Sequence, residues 1–141
     1  MSENNHNEQS FWQKYIFSTD HKVIGIQYGI TSLLFLFLGF SLMMVMRWQL
    51  AYPDTAVPFI GGLIKWLSDL NGFASDGNLP ADLYNVFGAM HGTIMIFLGV
   101  VPLVVGAFGN YVVPLQIGAP DMAFPKLNMT SYWVYFVGGV I

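Results

Sequence analysis

Polar and apolar residues are segregated into long blocks along this chain rather than alternating. From Val23 to Met46, "VIGIQYGITSLLFLFLGFSLMMVM", no side chain is charged, and Lys22 and Arg47 bracket the run. At about 24 residues it exceeds the roughly 20 that a helix needs to cross a bilayer, and the flanking cations fit interface anchors. A second uncharged run, Leu83 to Pro114, is about 30 residues long, enough to span with some tilt and a kink at Pro102. A third apolar stretch starts at Ser131, "SYWVYFVGGVI", and supplies about half a crossing. A half-span ending in hydrocarbon leaves backbone groups unsatisfied, so the expectation is a piece of a longer membrane protein. The predicted architecture is an all-α polytopic membrane protein, part of a larger helical bundle. It has an inner tail (1–22), a transmembrane helix (23–47), an outer loop (48–82) and a second transmembrane helix (83–114). An inner loop (115–130) and the start of a third helix (131–141) follow.

The loop between the first two spans contains "VPFIGGLIKWLSDL", which reads as a short amphipathic helix lying at the membrane interface with Trp66 at headgroup depth. "NGFASDGNLPAD" reads as turns. The loop is too short to fold alone as a soluble cap. Cations set the orientation. Lys14, Lys22 and Lys126 fall in the tail and second loop, Arg47 and Lys65 in the first loop, which puts the tail and second loop inside.

Composition agrees with the blocks. Of 141 residues, 55% are hydrophobic and only 9% charged, with a mean hydropathy of +0.54, well outside the range of soluble domains. A formal charge of −3 is too small and dispersed for a nucleic-acid partner. The absence of cysteine excludes disulfides, thiolate metal sites and a thiol nucleophile from this segment. The first twenty residues lack the basic region and small-residue cleavage site of a signal peptide, so the first apolar segment is expected to stay in place.

One histidine interrupts the second apolar run. His91 lies seven residues after Tyr84, roughly 10 Å below the outer surface at 1.5 Å per residue. Ionisable groups at such depth need a partner and mark functional sites. Gly88 and Gly92 flank it, with Gly99 and Gly106 following at heptad intervals. On the first span Gly25, Gly29, Ser32, Leu36, Gly39, Met43 and Arg47 form one stripe. Small residues let either a neighbouring helix or a flat ring approach the backbone. His91 therefore reads either as hydrogen-bonded to another helix or as an axial haem ligand with the ring against the helix face. His6 reads as solvated tail. His21 belongs to the start of the first helix, with Ser18, Thr19 or Asp20 as its cap. In "FGNYVVPLQIGAPDMAFPKLN", Asn110, Asp121 and Asn128 fit either turn-and-cap chemistry or a carboxylate at a pore mouth with amides ordering water.

"STDHKVIG", "YNVFGAMHGTIMIFLGVVPLVVGAFGNYVVPLQIGAPDMAFPKLN" and "SYW" resemble the amino-terminal part of subunit I of the haem–copper oxidases. The resemblance covers nearly the whole chain except the tail and part of the first loop. It implies that His91 is an axial ligand of the low-spin haem and that Arg47 meets the formyl group of an a-type haem. Tyr84 would line the haem pocket, with Gly39 and Gly92 on the faces a ring can approach. Asp121 would be the mouth of the D proton channel, with Asn110 and Asn128 as its asparagines. The resemblance further implies a high-spin haem and copper B, both held by residues outside this segment, which itself contains no catalytic residue. Implied partners are the rest of subunit I, subunits II and III, cytochrome c as electron donor and the lipid bilayer.

Some positions depart from the family pattern. Lys126 stands where arginine is usual, keeping charge without the fork geometry. Met129 replaces the second of two adjacent asparagines, and Gln49 replaces a glutamate that helps bind calcium or sodium in many members. The positions that bind quinol in the well-known quinol-oxidising branch are Leu38, Leu42, Leu83 and Val86 here. None offers a side-chain hydrogen bond, which favours cytochrome c. The long first loop favours a bacterial plasma membrane over a mitochondrial one. The expected function is thus part of the catalytic subunit of a proton-pumping terminal oxidase. The alternatives are a quinol oxidase of the same superfamily, a b-type haem electron-transfer anchor and a non-haem proton or ion transporter.

Overall fold

A computed structural model of the chain describes residues 12–73 and 75–141, with the side chains of Gln13 and Lys14 outside that description. His6 lies outside the described residues. Every regular element among the described residues is helical. A short π-type turn, Trp12–Ile16, precedes α1, His21–Ala51. Helix α2 is Gly61–Leu70, α3 is Ala81–Ile117, and α4 is Pro125–Val140.

At 31 and 37 residues, α1 and α3 extend roughly 46 and 56 Å at α-helical rise, longer than the hydrocarbon core of about 30 Å. Both are long and apolar enough to cross a membrane. Their outward side chains are apolar too: Leu34, Phe37, Phe97 and Val105 are all exposed, which in water would be unstable and in lipid is required. Asp20 starts α1. Its Oδ1 accepts the Lys22 N–H at 2.9 Å, and its own N–H is held by Ser18 Oγ at 3.1 Å. Of the three candidate caps, Asp20 is the one used.

Helix α3 is not uniform. It begins as an α-helix over Ala81–Thr93, passes through π-type stretches at Ile94–Val100 and Pro102–Phe108, and returns to α geometry over Gly109–Ile117. Pro102 opens the second of these stretches, where the missing N–H would otherwise break the ladder. Wide turns of this kind are rare and collect near functional sites. Gly118 closes α3 in the left-handed region at φ +69°, a conformation that glycine reaches without a Cβ penalty. Pro125 occupies the first turn of α4, where its lack of an N–H is harmless. That helix therefore begins six residues before Ser131, and the connection from α3 shortens to 118–124.

The described chain falls into two compact units, one comprising Thr31 and the described residues before it together with Pro102–Ile141, the other Ser32–Val101. In the second unit, Val57, Ile64 and Leu79 of the connecting loop pack with Val45 and Met46 of α1 and Leu83 and Phe87 of α3. The loop thus contributes to a small core, which the helix ends complete. Helix α2 turns Ile64 and Ser68 inward and leaves Trp66 exposed. In the first unit the core is aromatic: Ile24, Tyr28 and Tyr132, with Ala107, Met129, Trp133 and Tyr135 against them.

Candidate functional site

His91 sits on the α-helical first part of α3, in the unit Ser32–Val101. Its Nδ1 lies 2.8 Å from the carbonyl oxygen of Gly39 on α1. A carbonyl can only accept, so Nδ1 carries the proton and donates it. That fixes the tautomer and leaves the Nε2 lone pair for another partner, the arrangement found behind metal-ligating histidines. Gly39 leaves room for Met95: a Cβ there would stand 2.8 Å from Met95 Sδ and 2.9 Å from its Cγ, so the methionine side chain would have to move.

The glycines divide by use. Gly39 and Gly99 are helix-packing positions in this unit; a Cβ on Gly99 would meet Leu36 at 2.5 Å. Gly25 likewise packs on Tyr111 and Gly29 on Ala107 in the other unit. Gly92, next to the histidine, faces open space: apart from its chain neighbours and its own helix backbone, no described atom lies within 4 Å of where its Cβ would be. A free imidazole nitrogen beside an open, apolar helix face fits a flat macrocycle. Tyr84 and Gly88 share the His91 face at helical spacings of seven and three. The half-buried Tyr84 ring also packs on the core under the loop. Arg47 is exposed, and no hydrogen bond or ion pair joins it to another described residue. Among the described residues no group of three His, Cys, Asp or Glu could hold a metal ion. Gln49 serves the fold: its Oε1 accepts the Leu79 N–H at 3.0 Å and ties the loop to α1.

The other unit gathers the remaining candidates. Asp121, half exposed, lies in the connection between α3 and α4, where its Oδ1 accepts the Met122 N–H at 2.7 Å. The same oxygen is 3.3 Å from Nδ1 of His21, at the start of α1. Asn110 is buried; its Nδ2 donates to the Gly106 carbonyl at 2.6 Å, while its Oδ1 has no partner among the described residues. Asn128 leaves its Nδ2 buried and unpaired. An unpaired buried acceptor and an unpaired buried donor each call for a hydrogen-bonding partner, and water is the smallest that fits such a role.

Two hydroxyls of the same unit reach the backbone of Asn128, not its amide. Tyr28 O–H lies 3.0 Å from Ser131 Oγ, which donates to the Asn128 carbonyl at 2.7 Å. Because that serine proton is committed to the carbonyl, Tyr28 is the donor in the first bond. Sequence reasoning placed His21 only at a helix start and passed over Tyr28 and Ser131. The signal was present: His21, Tyr28 and Thr31 recur at helical spacing as polar residues on an apolar helix, and all three are buried.

A family profile described as "Cytochrome C and Quinol oxidase polypeptide I" matches residues 23–141. The chain is 46% identical over 124 residues to a cytochrome c oxidase subunit 1 of Thermostichus vulcanus, covering 87% of this chain and 19% of that protein. It is 39% identical over 137 residues to the subunit 1 of Synechocystis sp., covering 97% and 21%. Against the subunit 1 of Cereibacter sphaeroides it is 37% identical over 143 residues, covering 94% and 25%. The chain spans about a fifth to a quarter of the length of these relatives.

Proposed function

The chain belongs to the subunit I family of cytochrome c and quinol oxidases, and from that membership we propose that it forms part of the catalytic subunit of a proton-pumping terminal oxidase. The full enzyme reduces oxygen to water with electrons from cytochrome c. In this reading His91 would hold a low-spin haem a, which would supply electron-transfer chemistry, and the segment would also contribute the mouth of a proton-uptake channel. The high-spin haem and copper B take their ligands from beyond this segment, and subunits II and III complete the complex.

The observation that carries the reading is the tautomer of His91. Its Nδ1–H is held by the Gly39 carbonyl, so Nε2 is free to bind iron without first losing a proton. The open face at Gly92 leaves room for the ring beside it. Arg47 would donate to the formyl oxygen of an a-type haem, and Tyr84 and Gly39 would shape the pocket wall. On the other side Asp121 collects protons, and the unpaired amide groups of Asn110 and Asn128 order the water that carries them inward. The cation distribution places the tail and the α3–α4 connection inside and the α1–α3 loop outside, in a bacterial plasma membrane. The apolar Leu38, Leu42, Leu83 and Val86 favour cytochrome c over quinol as donor. Replacing His91 with alanine in the intact complex tests the assignment: the low-spin haem band is lost, since a methyl group cannot coordinate iron. A low-spin spectrum that survives the substitution refutes it.

A further inference from the structure

His21 occupies the first position of α1 yet is only 3% exposed. Two carboxylates face its Nδ1: Asp121 Oδ1 at 3.3 Å and Asp20 Oδ1 at 3.7 Å. The nearer one is the hydrogen-bond partner, and the Asp20 oxygen is already engaged by the Lys22 N–H as the helix cap. A carboxylate only accepts, so the imidazole donates through Nδ1. Oδ1 of Asp121 therefore receives two donors, the Met122 N–H and the His21 ring. Among the described residues, neither of these bonds involves Oδ2.

Nε2 is buried and has no hydrogen-bond partner among the described residues. The ring's hydrogen bond within the fold runs through Nδ1. We propose that His21 is a positioning residue for Asp121: its Nδ1–H locks one carboxylate oxygen of a half-exposed side chain, so that the other is presented to take up the incoming proton. The contact spans 100 residues of sequence and ties the short connection after α3 to the start of α1. It holds the carboxylate in one rotamer that a seven-residue surface connection (118–124) would not hold by itself. The inference rests on the proton-uptake reading of Asp121.

The test uses the whole oxidase reconstituted in vesicles, with proton uptake from the inner side measured during turnover. An intact low-spin haem band marks correctly assembled enzyme. His21→Asn places an amide N–H close to the position of Nδ1 and is expected to keep uptake within about twofold of wild type. His21→Gln carries its amide nearer the Nε2 position, and His21→Leu has no donor. Each is expected to slow uptake roughly fivefold or more, the scale of one lost charge-assisted hydrogen bond. Wild-type uptake in the Gln or Leu variant overturns the proposal. Uptake in His21→Asn as slow as in His21→Gln also overturns it, because an N–H at the Nδ1 position would then not be enough. Should His21→Leu fail to assemble, the Asn and Gln variants, both polar and of similar size, decide the question. Asp121→Asn separates the two readings. Wild-type uptake there removes the proton-uptake role itself, whereas slow uptake with silent His21 variants removes only the positioning role.

Discussion

Replacing Gly106 with alanine adds one methyl group where the structure has no room for it. The new Cβ would lie 2.5 Å from Cδ1, 2.7 Å from Cγ and 2.9 Å from Cε1 of Tyr28. Ordinary carbon–carbon contacts fall near 3.5–4.0 Å, so the ring must retreat by about 1 Å. It has little space to do so, since Tyr135 stacks on it at 5.2 Å and Tyr132 meets it edge-on at 5.2 Å. A shift of that size also stretches the 3.0 Å Tyr28–Ser131 bond beyond hydrogen-bonding range. Overpacking of this kind costs about 1–3 kcal/mol and the lost bond about 1 kcal/mol more, against a gain of about 1 kcal/mol from replacing glycine in a helix. The net is about 1–3 kcal/mol. If it is realised before the rate-limiting step, thermal inactivation of the detergent-solubilised complex accelerates by roughly 5- to 150-fold. Haem absorbance followed at a fixed temperature measures this. Tyr28→Leu removes the ring, so adding Gly106→Ala to that background should cost nothing further or stabilise slightly. An inactivation rate equal to wild type for Gly106→Ala alone, or an equal penalty in both backgrounds, refutes the packing argument.

If Arg47 meets a haem formyl group as proposed, Arg47→Met should shift the low-spin haem band to the blue with haem still bound; an unchanged absorption spectrum leaves Arg47 as an interface anchor only. Asp121→Asn keeps size and turn propensity, so stability should change by about 1 kcal/mol or less while turnover falls roughly tenfold or more and pumping stops. Oxygen uptake and proton release in vesicles read both. If Asn128 lines the proposed proton path, Asn128→Asp adds a charge there and should disturb coupling more than stability, read as the ratio of protons released to oxygen consumed. Gln49→Ala removes the acceptor for the Leu79 N–H and should loosen the loop between α1 and α3 by about 1 kcal/mol, seen as faster proteolysis within residues 52–80 and rescued by Gln49→Glu.

Much of this protein is legible from the chain alone, for one physical reason. A bilayer demands that backbone groups be satisfied within each spanning segment, so a long uncharged run must be a helix. Hence α1 and α3 could be placed from their sequences, and His91, an imidazole amid apolar residues, stood out as a group that needs a partner. Short motifs also singled out Asp121, Asn110 and Asn128. Helix limits were less legible: Pro125 starts α4 early because the first turn of a helix has no use for the N–H that proline lacks.

Contacts distant in sequence were decided only by folding. Which glycines serve helix packing and which leave open space depends on what stands opposite: Met95 faces Gly39, Tyr28 faces Gly106, and nothing faces Gly92. Nothing in the local sequence around His91 names the carbonyl 52 residues away that holds its Nδ1 and so selects its tautomer. The burial of His21 against Asp121, 100 residues distant, is likewise absent from any local pattern. Local chemistry determined which segments are long and apolar enough to cross a membrane and which side chains can bind or titrate. Packing between segments alone decided which lone pairs and protons those side chains leave free, because a hydrogen bond is set by ångström-scale position and direction, which sequence spacing does not encode across a fold.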